Sequence, residues 1–220
     1  MIYANIASIP NRIGCLIDTV ESLYNQVDEI NIGLNGYTSK VFNDKKINEV
    51  LLDNSKGDAA KVFFIDKLKG VMLLCDDDLL YPENYVKNTT EMLKKYELVT
   101  YHGRTLLDFP ITSYYRSRAL KYRCLSEVAE DVAVQVGGTG VMAFHTDNFS
   151  ISYNEIEHKN MLDIVISAAA RKQKKEIICL KHAENWIKYN EKMILSKDTI
   201  YDNHVINDEL QTLFFNKNMN

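Results

Sequence analysis

Short apolar runs alternate with helical patterns along the first half of the chain. The predicted strands, in chain order, are IYANIAS, EINIGLN, NEVLLD, GVMLLC and ELVTYH. Apolar residues recur at helical spacing over residues 16–26, 58–68 and 82–96, and Asp58 stands where an N-cap is expected. GVMLLC has no polar alternation, which is typical of a strand buried on both faces. This alternation predicts an α/β fold with a mostly parallel, twisted sheet flanked by helices.

The second half of the chain is less regular. SYYRSRALKYRCL indicates exposed strands or a loop, and VQVGGTGVMAF places a glycine cluster between two short apolar runs. NMLDIVISAAARKQ predicts an apolar helix, EIICLKH a further strand and AENWIKYN a loop. The tail beyond Ser196 is polar and is expected to end in a helix over residues 210–215.

Polar residues follow several of the predicted strands at the point where each strand ends. In open parallel sheets, ligands bind beyond the carboxyl ends of the strands. Those ends carry residues 8–12, Asn35, residues 76–78 and residues 102–104. The sequence therefore predicts one edge of the sheet at which polar side chains converge.

The composition and the net charge exclude several classes of protein. The chain has 220 residues, of which 46% are hydrophobic and 25% charged, enough for one sizeable core and too few for two. The net charge of -4 argues against a nucleic-acid binder held by a basic surface. The chain contains no run of about 18 apolar residues, so no membrane span is expected. The first residues, MIYANIASIPNR, show neither a basic leader nor a cleavable apolar stretch, so secretion is not expected. Four widely spaced cysteines predict reduced core thiols in a cytoplasmic protein.

Three consecutive aspartates, residues 76–78, follow the fourth predicted strand. Neighbouring carboxylates repel one another, so this cluster needs solvent, a partner cation or a metal ion. A polar turn and an N-cap for the next helix are the alternatives to a Mg²⁺ or Mn²⁺ site. A dehalogenase-type phosphatase would have Thr or Val at Leu80, near its first strand. A sugar nucleotidyltransferase would have a glycine-rich loop where this chain has SIPNR.

Several motifs of this chain, in the order in which they occur, resemble those of a known family. The segments are IASIPNR, SLYNQVDEINIGLN, GDAAKVFF, LLCDDDLLYPENYV, HGR, VGGTGVMAF, NMLDI and NWI. With these segments, over roughly residues 1–190, the chain resembles GT-A glycosyltransferases. The similar proteins are the small bacterial capsule N-acetylglucosaminyltransferases of the heparosan type and related domains of large algal viruses.

The resemblance implies a plan for the whole chain. A single GT-A domain would cover residues 1–195, followed by a helical tail over 196–220. Its Rossmann-like half, about residues 1–104, would bind the nucleotide-sugar, and its smaller mixed half, 105–195, would bind the acceptor.

The resemblance implies a nucleotide site at the ends of the first two strands. Ser8, Pro10, Arg12 and Asn35 would hold the uracil and ribose of a UDP-sugar. The residues by themselves allow the alternative that Pro10 only opens the first helix.

The resemblance next implies a diphosphate and metal site. Asp58 and Lys61 would reach phosphate or ribose, with an exposed, solvated Lys61 as the alternative. Asp76 and Asp78 match the DxD motif, which binds Mn²⁺ or Mg²⁺ against the two phosphates and stabilises the leaving group. Asp77 would contact a sugar hydroxyl.

His182, Trp186 and Lys188 follow the last predicted strand. The resemblance implies that His182 ligates the metal or contacts phosphate, although the family pattern has Arg there. Lys188 would lie near the diphosphate. The alternatives are a structural His182 and a Trp186 that covers the core instead of stacking on a sugar.

The sugar itself would be held by the second half. His102 would lie beside the donor sugar, and Gly138, Thr139 and Gly140 would let backbone approach it. Asp163 would face the acceptor or donor sugar, and would be the base if the enzyme inverts. A glycine turn and a helix-dipole or salt-bridge aspartate are the alternatives.

The function implied is transfer of glucose or N-acetylglucosamine from a UDP-sugar to a glycan, with retention of configuration. The location would be the cytoplasm, including the cytosolic face of a membrane-associated glycan assembly, and the chain would act alone or within a larger multidomain transferase. No nucleic acid and no integral membrane segment are expected. Two other hypotheses stay open: a Mg²⁺-dependent nucleotidyltransferase or phosphohydrolase, and a non-catalytic UDP-sugar-binding module.

Overall fold

Eight strands form one large mixed sheet in the computed structural model, which describes residues 1–195 and 208–219. The strands of the chain are β1 (Ile2–Ser8), β2 (Glu29–Asn35), β3 (Ile47–Leu52), β4 (Val71–Asp76), β5 (Leu79–Leu80), β6 (Leu98–Thr100), β7 (Gly103–Leu106), β8 (Ala119–Tyr122), β9 (Val132–Val134), β10 (Val136–Gly137), β11 (Val141–His145), β12 (Ile177–Cys179) and β13 (Lys188–Tyr189). The helices are α1 (Ile13–Tyr24), α2 (Tyr85–Met92), α3 (Leu162–Lys172) and α4 (Glu209–Asn218). Short 3₁₀ turns cover Pro10–Arg12, Gly57–Val62, Ile65–Lys67, Tyr153–Glu155 and Glu191–Leu195.

The large sheet has the order β3-β2-β1-β4-β11-β6-β12-β9. Its first four strands are parallel, β11 runs antiparallel between β4 and β6, β12 is parallel to β6, and β9 is antiparallel at the far edge. The predicted α/β class with flanking helices is confirmed. The sheet is more mixed than the sequence predicted, because apolar runs do not show the direction in which neighbouring strands run.

Three buried or half-buried asparagines fix the register of the parallel strands. Asn5, Asn31 and Asn48 are neighbours across β1, β2 and β3. Asn31 donates to Asn5 Oδ1 and Asn48 donates to Asn31 Oδ1, each at 3.2 Å. Since a buried amide is costly without a partner, slipping any of these strands would be unfavourable. Their carboxyl ends are therefore held side by side.

The predicted helix over residues 58–68 is wrong. The segment forms two 3₁₀ turns, and Lys56 rather than Asp58 precedes the first of them. A Cβ on Gly33 of β2 would lie only 2.5 Å from Ala60 Cβ, so the turn rests directly on the sheet. The Asp58 carboxylate instead accepts a hydrogen bond from the Leu162 amide, 104 positions away, at the start of α3.

A smaller layer covers the second half of the large sheet. Strands β10, β7 and β8 form a three-stranded antiparallel sheet, which packs with α3 and α4 around a separate apolar cluster. Phe215 and Met219 of α4 are buried in that cluster. The predicted last helix over residues 210–215 is confirmed, whereas residues 196–207 and 220 of the expected tail lie outside the described residues. Within residues 1–195 and 208–219, every helix is too short or too polar to cross a bilayer.

Candidate functional site

Two adjoining cavities open at the carboxyl ends of β1, β2 and β4. The larger has a volume of about 540 Å³ and the smaller about 220 Å³. Four residues belong to the walls of both cavities: Asp58, Lys61, Asp76 and Asn160. The strand-end rule therefore located the edge of the sheet correctly.

The smaller cavity collects most of the residues predicted to hold the nucleotide. Ser8, Arg12, Asn35 and Asp77 line it. Asn35 donates to the Gly57 carbonyl at 2.9 Å, which ties the end of β2 to the 3₁₀ turn that carries Asp58. Pro10 is exposed and does not line either cavity; it opens the turn that leads into α1.

The three aspartates are divided between two cations. Arg12 Nη1 lies 2.9 Å from Asp77 Oδ1 and 3.2 Å from Asp78 Oδ2. Asp76 pairs instead with Lys61 Nζ. The side chain of Asp76 is 43% exposed, whereas that of Asp77 is 4% exposed and that of Asp78 is 14% exposed. The cluster is therefore a set of ion pairs as well as a strand end, and Asp76 is the member most open to a ligand.

The three carboxyl groups differ in the direction in which their pKa values are shifted. Burial raises the pKa of Asp78 to about 7, and the charges of Asp76 and Asp77 add to this effect. Burial also raises the pKa of Asp77, although Arg12 opposes it. At Asp76 burial acts in the same direction, but the ammonium of Lys61 outweighs it and the pKa is lowered. Asp76 is thus the carboxylate that stays ionised most easily.

Lys61 and Asp58 form the wall between the cavities. Burial by itself would lower the pKa of Lys61, but the carboxylates of Asp76 and Asp58 outweigh it and raise that pKa. Burial raises the pKa of Asp58 to about 7, with Lys61 opposing. Asp58 Oδ1 is buried and has no hydrogen-bond partner among the residues that the structure describes. An orphaned buried oxygen at a cavity wall is suited to accepting a hydrogen bond from a ligand.

The glycine cluster lies against the aspartates and His102. A Cβ on Gly140 would stand 1.9 Å from Asp76 Oδ2, and one on Gly138 would stand 2.9 Å from His102 Cβ. The Gly138 amide donates to the His102 carbonyl at 2.7 Å. The turn between β10 and β11 therefore brings backbone close to Asp76, and the approach of this backbone to a sugar stays a prediction.

Asp163 holds that same turn from the other side. Its Oδ1 accepts hydrogen bonds from the Thr139 amide at 2.7 Å and from Thr139 Oγ1 at 2.6 Å. His102 lines the larger cavity beside them. Burial lowers the pKa of His102 although the charge of Asp163 opposes it, so the neutral imidazole is favoured. The structure thus brings together His102, Thr139, Asp163 and both glycines in one cavity.

His182, Trp186 and Lys188 do not line either cavity. The ring nitrogens of His182 lie 2.8 Å from the Leu180 carbonyl and 3.2 Å from the Arg123 carbonyl. Trp186 packs 5.0 Å from the Tyr101 ring, and exposed Lys188 pairs with Leu80 between β13 and β5. This geometry favours the structural alternative for His182 and the core-covering alternative for Trp186.

The sequence did not indicate several residues that line the cavities or hold their walls in place. Tyr81 donates to the Gly140 carbonyl at 2.6 Å and accepts from the Asp76 amide at 2.9 Å, so it joins β4 to the glycine turn. Asn160 accepts from the Asp58 amide at 3.3 Å. Gln211 reaches the larger cavity from α4. Only Tyr81, directly behind the aspartates, had a local signal.

Nothing in residues 1–195 and 208–219 forms a ready-made group of three or more His, Cys, Asp or Glu side chains for a metal ion. Asp76 and Asp78 are the two carboxylates considered as ligands for a metal ion. The ion pair of Asp76 to Lys61 uses Oδ1 and the 3.2 Å contact of Asp78 to Arg12 uses Oδ2, and Asp78, unlike Asp76, lines neither cavity. Mg²⁺ and Mn²⁺ commonly use one or two protein carboxylates and complete their shell with water and phosphate oxygens, and this pair fits that pattern.

The chain was compared with known proteins. No protein-family model matches it, and no curated protein matches it.

Proposed function

We propose that this chain is a metal-dependent GT-A glycosyltransferase that moves a sugar from a UDP-sugar to a glycan acceptor. The observation that carries the proposal is the pair of adjoining cavities, with Asp58, Lys61 and Asp76 in the wall between them. A nucleotide-sugar has the same layout: a nucleoside, a diphosphate in the middle and a sugar. The smaller cavity suits the nucleoside, and the larger has room for the sugar and an acceptor.

The shared wall has the chemistry that a diphosphate needs. Lys61 is buried there and its charge is held by Asp76. An ammonium in a desolvated wall stabilises phosphate oxygens more strongly than one in water. Asp76 and Asp78 would hold a Mn²⁺ or Mg²⁺ ion, whose charge would stabilise the UDP leaving group. Asp58 would accept a hydrogen bond from a ribose or sugar hydroxyl with its free Oδ1.

The larger cavity would orient the sugar. In the transfer, the bond between the anomeric carbon and the β-phosphate oxygen breaks and a bond from that carbon to the acceptor hydroxyl oxygen forms. The proton of that hydroxyl passes to the departing β-phosphate oxygen of UDP. His102 and the backbone of the glycine turn would face the sugar, since both line this cavity. Asp163 holds Thr139 through both of its hydrogen bonds. This geometry suits a positioning role, and so agrees with the retaining chemistry that needs no dedicated base.

The decisive experiment is UDP release from a panel of UDP-sugars in the presence of candidate acceptors, first with Mn²⁺ and then with EDTA. We expect metal-dependent UDP release from one donor, loss of that release in Asp76→Asn, and no change in Asp147→Asn. Asp147 is an exposed aspartate outside both cavities, so it controls for the substitution itself.

Other outcomes identify the rival functions. Release of pyrophosphate or phosphate without an acceptor would indicate a nucleotidyltransferase or a phosphohydrolase. UDP binding without release from any donor would indicate a binding module. Equal activity in wild type and Asp76→Asn would contradict the proposed site.

A further inference from the structure

The antiparallel pair β7–β8 carries an unusual concentration of positive charge. Residues 103–123 contain five Lys and Arg residues and one aspartate, although the whole chain has a net charge of -4. Four of these cations, Arg116, Arg118, Lys121 and Arg123, are exposed. The one acid within residues 103–123 is Asp108, whose carboxylate lies 3.8 Å from Arg118 Nη1. This hairpin is therefore a basic patch on an acidic protein.

The same hairpin exposes large apolar side chains. Leu107, Phe109 and Leu120 are each about half exposed, at 49%, 49% and 50%. Thr105 lies opposite Leu120 in the β7–β8 register, and the Leu107 amide donates to the Arg118 carbonyl. Successive side chains of a strand point to opposite faces, so Leu107, Arg118 and Leu120 share one face. The other face carries Leu106, which is buried, so the shared face is the outer one.

We infer that the outer face of this hairpin docks on an anionic lipid surface, with Leu107, Phe109 and Leu120 entering the interface and Arg116 and Arg118 contacting the headgroups. Peripheral membrane attachment uses this combination of apolar side chains and Lys or Arg. A protein partner would require a continuous, shape-complementary face of about 800 Å² per partner. Here three separate apolar side chains stand between cations, which suits a fluid interface that needs no fixed shape.

The outer face of the hairpin, with Leu107, Arg118 and Leu120, lies on the strands whose other face adjoins the larger cavity. Arg104 and Lys121 are paired across β7 and β8 and both line that cavity. A hairpin docked by its outer face would place the cavity beside the lipid surface, where substrates carried on lipids are concentrated. The docking proposal does not depend on the proposed transferase activity.

The test is co-sedimentation of the full chain with vesicles. The probes are vesicles of phosphatidylcholine alone and vesicles in which roughly one third of the lipid is phosphatidylserine. We expect binding to the anionic vesicles only. The double variant Leu107→Ser/Leu120→Ser should bind them at least about tenfold more weakly, because two half-exposed leucines no longer enter the interface. Arg116→Gln/Arg118→Gln should also bind more weakly, and high salt should weaken binding by the wild type.

Two control variants make the result specific. Ile17→Ser/Leu51→Ser removes two exposed apolar side chains elsewhere, and Lys40→Gln/Lys45→Gln removes two exposed cations elsewhere. Both should bind as the wild type does, and melting curves would show that every variant is folded. No binding of wild type to anionic vesicles overturns the proposal. Equal binding by the leucine variant and its control also overturns it, because adsorption would then be only electrostatic.

Discussion

The carboxylate of Asp76 occupies the space that a side chain at Gly140 would need. Asp76 Oδ2 lies 1.9 Å from the position of a Cβ on Gly140, and the Asp76 amide donates to the Gly140 carbonyl at 3.2 Å. β4 and β11 are antiparallel neighbours, so the end of one strand meets the start of the other. The direction of the Asp76 side chain therefore depends on a glycine 64 positions later in the chain.

Gly140→Ala should disrupt the candidate metal site with little effect on the fold. A methyl group at residue 140 would force the Asp76 carboxylate away from its place beside Lys61, because less than 2 Å is available. We expect at least about tenfold weaker Mn²⁺ binding, the size of effect typical when a ligand loses its support. Titration calorimetry would measure it.

Gly14→Ala provides the matched control. A Cβ on Gly14 would meet Lys192 Cδ at 3.6 Å, an ordinary contact, and the residue lies within α1. This variant should keep Mn²⁺ affinity and raise the free energy of unfolding by about 0.5–1 kcal/mol. Equal Mn²⁺ affinity in both variants would show that Gly140 does not position Asp76.

Asp58 should make the protein less stable as the pH rises from about 4 to about 7. Burial raises its pKa in the folded state to about 7, against about 3.9 for an unfolded chain. The folded state therefore binds the proton more tightly, and its stabilising effect is lost as the pH passes through the folded pKa. In Asp58→Asn this loss between pH 5 and pH 8 should be smaller by about 2–4 kcal/mol.

Urea unfolding of metal-free protein at the two pH values measures this difference. Asparagine retains an oxygen for the Leu162 amide, so the variant changes the titration more than the contacts. Glu184→Gln, at an exposed position, should follow the wild type. An Asp58→Asn protein with the same pH dependence as wild type would mean that Asp58 is ionised in the folded protein.

His182→Phe should lower stability and leave metal binding alone. Both ring nitrogens of His182 lie next to backbone carbonyls, and the ring packs against Tyr101 at 5.5 Å. The ring N–H donates to one of these carbonyls, and losing that hydrogen bond and the ring packing should reduce the free energy of unfolding by about 1–3 kcal/mol. Mn²⁺ affinity should stay within about twofold of wild type, whereas Asp78→Asn should weaken it strongly. The opposite pattern, unchanged stability and lost Mn²⁺ affinity, would restore His182 as a metal ligand.

Much of the sheet edge was predictable from local pattern. The segments IYANIAS and EINIGLN correspond to β1 and β2 residue for residue. Since parallel strands end at one edge, the amino-acid sequence alone is enough to place Ser8, Asn35 and Asp76 together. Apolar periodicity determines such elements because each strand or helix buries a face that its own residues specify.

The rest of the site depends on contacts that no local pattern records. Asn160 and Gln211 reach the cavities from positions far along the chain, and Asp58 binds the start of α3 instead of capping its own helix. The antiparallel direction of β11 follows from its packing between β4 and β6. Local spacing is the same for a parallel and an antiparallel strand, so the sequence could not distinguish them.

The most direct measurement is UDP binding by titration calorimetry, with Mn²⁺ and with EDTA, in the wild type and in Lys61→Met. We predict that UDP binds the wild type with Mn²⁺ and that EDTA weakens this binding at least about tenfold. Lys61→Met should weaken UDP binding by a similar factor, because a buried phosphate contact is lost. Failure of UDP to bind the wild type in either condition would contradict the proposed nucleotide site. Equal affinity in all of these conditions would place the nucleotide outside the wall formed by Asp58, Lys61 and Asp76.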